Sequence, residues 1–120
     1  MRYLCLIYEE EAAVAQMPKD QRQSRSHEYF AYTEAIKSSG HFLGGNALQP
    51  TPAATTLRVR NGRVSTTDGP FAETKEQLGG YYLIDAADLN DAIQVAARIP
   101  GARFGSIEVR PIMELAGALA

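Results

Sequence analysis

The stretch Leu78-Gly79-Gly80-Tyr81-Tyr82-Leu83-Ile84 decides the fold. Its residues are small, apolar or aromatic on both alternating faces, the pattern of a strand in the middle of a sheet that is covered on both sides. A second stretch of this kind, Tyr3-Leu-Cys-Leu-Ile-Tyr8, lies near the N-terminus. The two stretches predict two central strands, over residues 77–85 and 2–8.

Two segments predict helices that pack against this sheet. The first runs from about Lys19 to Ser39, between Pro18 and Gly40. The second follows Asp88, which caps it with Asp91 at the capping-box position, and ends at Pro100-Gly101. The predicted buried stripes are Tyr29, Tyr32, Ala35 and Ile36 in the first helix, with Phe30 and Thr33 alongside, and Leu89, Ala92, Ile93, Ala96 and Ala97 in the second.

An edge strand and a hairpin are predicted between the first helix and the second central strand. Residues from His41 to Leu48 predict a strand with a bulge or close backbone approach at Gly44-Gly45. The alternating residues on either side of Asn61-Gly62 predict a hairpin over about residues 55–67 with a type I′ turn. In this register one face carries Leu57, Val59, Val64 and Thr66, and the other carries Arg58, Arg60, Arg63 and Ser65.

A last strand, roughly Gly105 to Met113, completes the order β-α-β-(hairpin)-β-α-β. This order predicts an α+β fold, a ferredoxin-like β-α-β-β-α-β sandwich with an inserted hairpin. Both helices cover one face of the sheet, so the other apolar face needs a different cover. A second copy of the same sheet is the simplest one, which predicts a homodimer with its sheets face to face around a cleft.

Length and composition narrow the class of protein. The chain of 120 residues predicts one domain over 1–120, with a frayed tail over about 115–120. A net charge of -2 argues against a nucleic-acid partner. No apolar run is long enough to span a membrane, so a cytoplasmic location is expected. Cys5, the only cysteine, is expected to be a buried apolar residue.

The block Asp68-Gly-Pro-Phe-Ala-Glu-Thr-Lys-Glu-Gln-Leu-Gly-Gly80 carries a family likeness, supported by residues 3–8, 44–50, 55–60 and 106–114. With these motifs the chain resembles the DGPF branch of the YCII-related proteins, small dimeric α+β barrel proteins, over nearly its whole length. The resemblance implies a link to small aromatic or lactone substrates, which a few relatives use. It also implies a link to extracytoplasmic-function sigma factors, whose genes often lie beside those of this branch.

The resemblance also implies a site. The wider family pairs a histidine on the first helix with an aspartate in the loop before the third core strand, and Asp68 has the position of that aspartate. The histidine position falls nearer Tyr29 than His27, which lies on a different face of the helix. Asp68 is therefore a candidate catalytic residue. His27, which lies two residues from Tyr29, is the candidate for its histidine partner. The alternatives are that Asp68 forms an Asx-turn before Gly69-Pro70 and that His27 is a surface residue.

Further residues are candidates for ligand binding: Tyr8, Tyr29, Phe71, Glu73, Lys75 and Glu108. Tyr8 and Glu108 are expected on the sheet face that borders the dimer cleft. For Phe71 the alternative is an anchor for its loop, and for Glu73 and Lys75 it is a solvated loop. No metal or cofactor is predicted, because two histidines without a carboxylate cluster fit no ligand spacing and no phosphate-binding glycine loop is present.

Two functions are consistent with these residues. The first is a cytoplasmic homodimer that binds a small polar or aromatic metabolite, with cofactor-free acid–base chemistry centred on Asp68. The second is a non-catalytic regulatory or interaction module linked to a sigma-factor pathway. Fold resemblance does not choose between them.

Overall fold

The structure, a computed structural model, describes residues 1–115. The part of the predicted tail beyond residue 115 lies outside the described residues. The elements are β1 (Arg2–Glu9), α1 (Glu11–Ala15), α2 (Lys19–Ser38), β2 (Phe42–Ala47), β3 (Thr55–Arg60), β4 (Arg63–Asp68), β5 (Gln77–Asp85), α3 (Leu89–Ala97) and β6 (Ser106–Pro111), with 3₁₀ turns at Thr51–Ala53 and Pro100–Arg103.

Four strands form one antiparallel sheet in the order β2-β5-β1-β6. The two strands that are apolar on both faces, β1 and β5, are the central pair, as predicted. The pairing of β2 with β5 is irregular between Phe42 and Gly44, one residue before the predicted position. The predicted close backbone approach is present at Gly45, where a Cβ atom would lie 2.9 Å from Tyr81 O. The ferredoxin-like α+β fold is confirmed.

The helices cover one face of this sheet. Alternate residues of β1, namely Tyr3, Cys5 and Ile7, are buried there, and the β5 residues paired with the first two, Ile84 and Tyr82, are buried with them. Together with side chains of α2 and α3 these residues form the core, so the predicted burial of Cys5 is confirmed.

The buried stripes of the two helices differ from the prediction. In α2, Tyr32 and Ile36 are buried, whereas Ala35 and Phe30 are exposed. In α3, the predicted cap is confirmed, since the backbone N–H of Asp91 donates to Asp88 Oδ1 at 2.8 Å.

The phase of α3 was predicted wrongly. Its buried residues are Ala92, Val95 and Ala96, and the spacing continues to the buried Ile99 beyond the helix end, while Leu89 and Ile93 are exposed. The two buried β-branched residues Val95 and Ile99 therefore set the helix face that meets the sheet, and Ala97 lies outside it.

Strands β3 and β4 form a separate two-stranded sheet. Asn61 and Gly62 have φ values of 54° and 74°, which confirms the type I′ turn. The register is the predicted one, with Val59 opposite Val64 and Arg60 opposite Arg63. The apolar face of the hairpin, which carries Leu57, Val59 and Val64, is exposed.

The second face of the four-stranded sheet has no cover from the described residues. Leu4, Leu6 and Tyr8 of β1 and Tyr81 and Leu83 of β5 lie on it, and all of them are only partly buried. The described chain is a plate of 48 × 47 × 19 Å, about the thickness of one sheet and one helix layer. Within residues 1–115, no helix has the length and hydrophobicity needed to cross a membrane.

Candidate functional site

A cleft of about 810 Å³ opens on the helix side of the sheet. Its walls come from α1 and α2 on one side and from β1, β2 and β5 on the other. Most of the lining is apolar or aromatic, as the residues Ala12, Val14, Tyr29, Phe42, Leu48 and Tyr82 show. A cleft of this size and character is the form that small-molecule sites usually take.

An ion pair lies at the side of this cleft. Arg25 Nη2 donates to Glu9 Oε1 in a short contact. Glu9 is 7% exposed, which is unusual for a glutamate, and the Arg25 side chain is 19% exposed. A buried carboxylate is tolerated only when a partner offsets its lost hydration, and Arg25 is that partner.

The pair is incomplete. Glu9 Oε2 and Arg25 Nη1 are shielded from solvent, and neither has a hydrogen-bond partner among the described residues. A buried polar atom without a partner costs about 1–3 kcal/mol, and more when it is charged. Both atoms are also out of contact with solvent, so a molecule in the cleft does not reach them while the pair keeps this geometry.

Tyr29 lies beside the pair. Its hydroxyl accepts a hydrogen bond from the backbone N–H of Gly101 at 3.1 Å, and the guanidinium carbon of Arg25 is 5.5 Å from its ring centroid. Burial, and secondly the charge of Glu9, raise the pKa of Tyr29 above its usual value. The phenol thus stays protonated at neutral pH and acts as a hydrogen-bonding group.

Gly101 closes the cluster from the 3₁₀ turn Pro100–Arg103. A Cβ atom at this position would lie 2.7 Å from the Tyr29 hydroxyl oxygen and still closer to Glu9 Oε1. Only glycine fits here without a shift of the pair.

The positions of Glu9 and Arg25 follow from simple periodicities that the sequence prediction did not use. Glu9 continues the alternation of Tyr3, Cys5 and Ile7 on the covered face of β1. Arg25 precedes Tyr29 by one helical turn on the face of α2 that meets the sheet. In each pattern a charged residue stands at a position where burial is predicted, and this was the signal in the sequence that could have identified the pair.

Hydrogen bonds from Glu11 hold α1 at the mouth of the cleft. The Glu11 carboxylate accepts from the backbone N–H of Thr51 at 2.8 Å and from its Oγ1 at 2.7 Å. The backbone N–H of Glu11 donates to Gln77 Oε1 at 2.9 Å. These bonds connect α1 to the turn after β2 and to the start of β5, and so fix one wall.

The predicted catalytic residues lie outside the cleft. Asp68 is exposed at the end of β4, and its side chain makes no hydrogen bond within residues 1–115, so the Asx-turn of the alternative prediction is not formed. The backbone N–H of the next residue, Gly69, donates to Ala54 O at 2.7 Å. His27 lies on the exposed side of α2, in a shallow depression with Lys19 and Arg22. Their catalytic roles stay predictions.

Of the six predicted ligand-binding residues, Tyr29 alone lines the cleft. Phe71 is 79% exposed, with the Arg58 guanidinium carbon 5.9 Å from its ring centroid. Glu73 and Lys75 are also exposed.

Tyr8 and Glu108 lie on the uncovered face of the sheet, as predicted from their register. Glu108 Oε2 accepts a hydrogen bond from Arg110 Nε at 2.9 Å, so these two residues pair within the chain. The structure therefore separates the candidates among the cleft, the hairpin region and the uncovered face.

A second polar cluster, which the sequence prediction did not identify, joins the two helices. His41 Nε2 is 3.0 Å from Asp91 Oδ2, and His41 Nδ1 is 2.7 Å from Ser39 Oγ. A hydrogen bond from the backbone N–H of Ala87, and secondly the bond with His41, lower the pKa of Asp91. The cluster connects the end of α2 to the start of α3 and lies outside the cleft.

The described residues contain no group of three or more His, Cys, Asp or Glu side chains arranged to hold a metal ion. The polar side chains of the cleft lining include Glu9, Arg25 and Tyr29, as well as the hydroxyls of Thr33 and Tyr82, which are 2.7 Å apart.

Comparison with known proteins identifies the family. Residues 1–116 match the YCII-related domain. The chain belongs to the YCII-related family. A relative, an uncharacterised protein of Rhizobium meliloti (strain 1021), is 39% identical over 114 residues, which cover 93% of this chain and 92% of that protein. The finer assignment to the DGPF branch stays a prediction.

A solved structure supports the fold of this YCII-related chain. It is the 5-chloro-2-hydroxyhydroquinone dehydrochlorinase of Burkholderia phenoliruptrix AC1100, determined in complex with 2,5-dihydroxybenzoquinone. The likeness has a TM-score of 0.51 at 15% identity and covers 94% of each chain. At this identity the comparison supports the shared fold alone.

Proposed function

We propose that this YCII-related protein binds a small, largely apolar metabolite, aromatic in character, in the cleft between α2 and the sheet. The observation that carries the proposal is a mostly apolar cleft of about 810 Å³ that has the Glu9–Arg25 ion pair and Tyr29 in its lining. Apolar walls with a few convergent polar groups are typical of metabolite sites.

The size and the aromatic residues of the cleft support this class of ligand. A volume of about 810 Å³ accommodates a one- or two-ring molecule. The rings of Tyr29, Phe42 and Tyr82 provide faces and edges against which a planar molecule can pack. The structural neighbour, itself in complex with 2,5-dihydroxybenzoquinone, agrees with this class.

The proposal includes a homodimer in the cytoplasm. The uncovered face of the sheet is rich in leucine and tyrosine, and a second copy of the same face is its simplest cover. Sedimentation at micromolar concentration is expected to give a dimer, and Leu6→Lys, at the centre of that face, is expected to give a folded monomer. A wild-type monomer would contradict this part of the proposal.

Acid–base chemistry by Asp68 requires that its carboxylate reach a bound molecule. Asp68 does not line the cleft of its own chain, so this role needs a second copy to bring its hairpin close. Asp68→Asn removes the acid–base group while it keeps the shape of the side chain. Unchanged turnover in this variant, once a substrate is known, would exclude the role.

The hairpin favours a second candidate function, that of an interaction module. Leu57, Val59 and Val64 form an exposed apolar face on an arm that lies outside the main sheet. A regulatory protein partner of a sigma-factor pathway is the occupant that the family resemblance suggests. Leu57→Ser with Val64→Ser would abolish that association and leave ligand binding intact.

Two tryptophan substitutions on α1 test the cleft directly. Ala12 lines the cleft and Ala13, its neighbour, does not, so Ala12→Trp fills the site and Ala13→Trp is the matched control. A library of one- and two-ring compounds is screened by protein NMR. Binding is expected to shift amide signals of Tyr29, Phe42 and Leu48, and Ala12→Trp alone is expected to abolish the shifts. The absence of any binding compound, or shifts confined to the uncovered face, would overturn the proposal.

A further inference from the structure

Two hydroxyl groups meet in the lining of the cleft. Thr33 of α2 and Tyr82 of β5 both line it, and their hydroxyl oxygens are 2.7 Å apart. Thr33 Oγ1 is also 2.8 Å from the backbone oxygen of Tyr29, one helical turn earlier. These two contacts fix the direction of the hydrogen bond between Thr33 and Tyr82.

Thr33 has one hydroxyl hydrogen, which it can donate to only one of its two partners. The backbone oxygen of Tyr29 carries no hydrogen, so its contact with Thr33 is a hydrogen bond only if Thr33 donates. In the other contact Thr33 Oγ1 is then the acceptor, and the Tyr82 hydroxyl donates to it. Burial raises the pKa of Tyr82, so this hydrogen is present at neutral pH.

Both hydroxyl hydrogens are therefore used within the protein. The oxygen of Tyr82 keeps a lone pair that can accept a hydrogen bond, but it has no hydrogen left to donate. A hydroxyl group that turns freely serves a ligand either as donor or as acceptor. Tyr82, with its hydrogen held by Thr33, serves a ligand only as an acceptor.

The ring of Tyr82 is held in place by its neighbours. The ring centroids of Tyr32 and Phe42 lie 5.3 Å and 6.3 Å from that of Tyr82, both in edge-to-face geometry. On the adjacent strand, a Cβ atom at Gly45 would lie 2.8 Å from Tyr82 Cδ1, so the ring packs over a glycine. The acceptor thus has a fixed position, which lowers the cost of ordering the site when a ligand binds.

We propose that Tyr82, oriented by Thr33, selects ligands by the direction of their hydrogen bond, and that the cleft takes aromatic molecules that bring a ring hydroxyl or ring N–H group to the Tyr82 oxygen. This inference rests on the proposed function and names the ligand class of the same site. Tyr82 is a ligand-binding residue in this role, and Thr33 is a positioning residue.

The chemistry of the ligand group decides whether it fits beside Tyr82. A ring O–H or N–H group donates to the Tyr82 oxygen. An ether oxygen at the same position would place two acceptors against each other with no hydrogen between them. A methyl group makes no hydrogen bond and brings no second acceptor, so it is the neutral reference.

Three probes with the same two-ring body separate these cases: 2-naphthol, 2-methylnaphthalene and 2-methoxynaphthalene. Binding to the wild-type protein at pH 7 is followed by probe fluorescence and by the amide signals of Tyr29, Phe42 and Leu48. We expect 2-naphthol to bind about fivefold tighter than 2-methylnaphthalene, and 2-methoxynaphthalene to bind most weakly.

Thr33→Val is expected to reverse the direction of the hydrogen bond at Tyr82. Valine has nearly the shape of threonine but accepts no hydrogen bond, so the Tyr82 hydrogen is free to turn toward the ligand. We then expect 2-methoxynaphthalene to bind about fivefold tighter than it binds the wild type, and 2-methylnaphthalene to bind as before. Thr33→Ser keeps the hydroxyl group and is the matched control, for which the wild-type order of probes is expected.

Tyr82→Phe removes the acceptor and keeps the ring. Thr33 still donates to the backbone oxygen of Tyr29, so the substitution leaves no hydrogen without a partner. The affinity for 2-naphthol is expected to fall to that for 2-methylnaphthalene, which itself changes little. A merely structural role of Tyr82 would instead lower the affinity for all three probes together. If Tyr82→Phe does not fold, the comparison of Thr33→Val with Thr33→Ser tests the same assignment.

Failure of the inference and failure of the proposed function give different results. If no probe shifts the amide signals of the cleft residues, the proposed function is overturned. If the probes bind in the cleft but 2-methoxynaphthalene binds the wild type as tightly as 2-naphthol, or if Thr33→Val keeps the wild-type order, the selection by Tyr82 is overturned and the proposed function stands.

Discussion

Arg25 donates to Glu9 across 16 residues of sequence, from the second turn of α2 to the last residue of the central strand β1. The contact fixes α2 on the sheet at the position where the cleft opens. The same two side chains therefore hold the helix on the sheet and line the cleft, so we expect stability and binding to be coupled at this point.

Arg25→Met is expected to lower the free energy of unfolding by about 3 kcal/mol, because it leaves the Glu9 carboxylate buried without its counterion. The double variant Glu9→Leu with Arg25→Met removes both charges and is expected to recover most of this loss. Urea unfolding of the wild type and the variants measures both values. A double variant no more stable than Arg25→Met would show that the pair is not energetically coupled.

Gly101→Ala is expected to destabilise the protein by about 1–3 kcal/mol, the usual cost of overpacking, since the new methyl group would collide with Glu9 and Tyr29. Gly44→Ala is the matched control, because a Cβ at Gly44 meets nothing within 4 Å. Thermal unfolding of both variants gives the comparison. Equal melting temperatures would mean that the turn at Gly101 moves freely away from the pair.

The hairpin turn provides a local test. Gly62 has a φ of 74°, which β-branched residues strongly disfavour and asparagine tolerates. Gly62→Val is expected to destabilise the hairpin by about 1–2 kcal/mol, and Gly62→Asn much less. Because β3 and β4 form their own sheet, amide hydrogen exchange of these strands is the appropriate measurement. Equal exchange rates in the two variants would contradict the assigned turn.

The His41–Asp91 cluster predicts a dependence of stability on acid pH. The pKa of Asp91 in the folded protein lies below its ordinary value of 3.8, so the ionised form favours the folded state. This contribution is fully present above the ordinary pKa and is lost as the pH falls through the lower, folded-state pKa.

Asp91→Asn lacks this contribution at every pH. The difference in melting temperature between the wild type and Asp91→Asn is thus expected to be largest near neutral pH and to shrink below about pH 4. If the difference in melting temperature stays constant between pH 7 and pH 3, Asp91 stabilises the fold through the shape of its side chain and not through its charge.

Much of the fold was predictable because its signals are local. The apolar alternation of β1 and β5, the Asn61-Gly62 turn and the Asp88 cap each depend on neighbours in sequence, and each is confirmed. The phase of α3 was not predictable in this way, because it depends on the packing of Val95 and Ile99 against the sheet.

The candidate site was harder to predict. Its polar residues come from β1 and α2, and their meeting depends on how the helix lies on the sheet. Tyr29 was identified through the family resemblance, whereas Glu9 lies in the acidic run Glu9-Glu10-Glu11 and is marked as different from its neighbours only by the alternation of β1. The motif around Asp68 led to the prediction of a site in a segment that lies outside the cleft.

A crystal structure of the protein grown with 2-naphthol tests the central claim most directly. The account predicts electron density for the ring between Tyr29 and the apolar wall of the cleft. An empty cleft at saturating 2-naphthol, with the ring bound on the hairpin or on the uncovered face of the sheet instead, would contradict it.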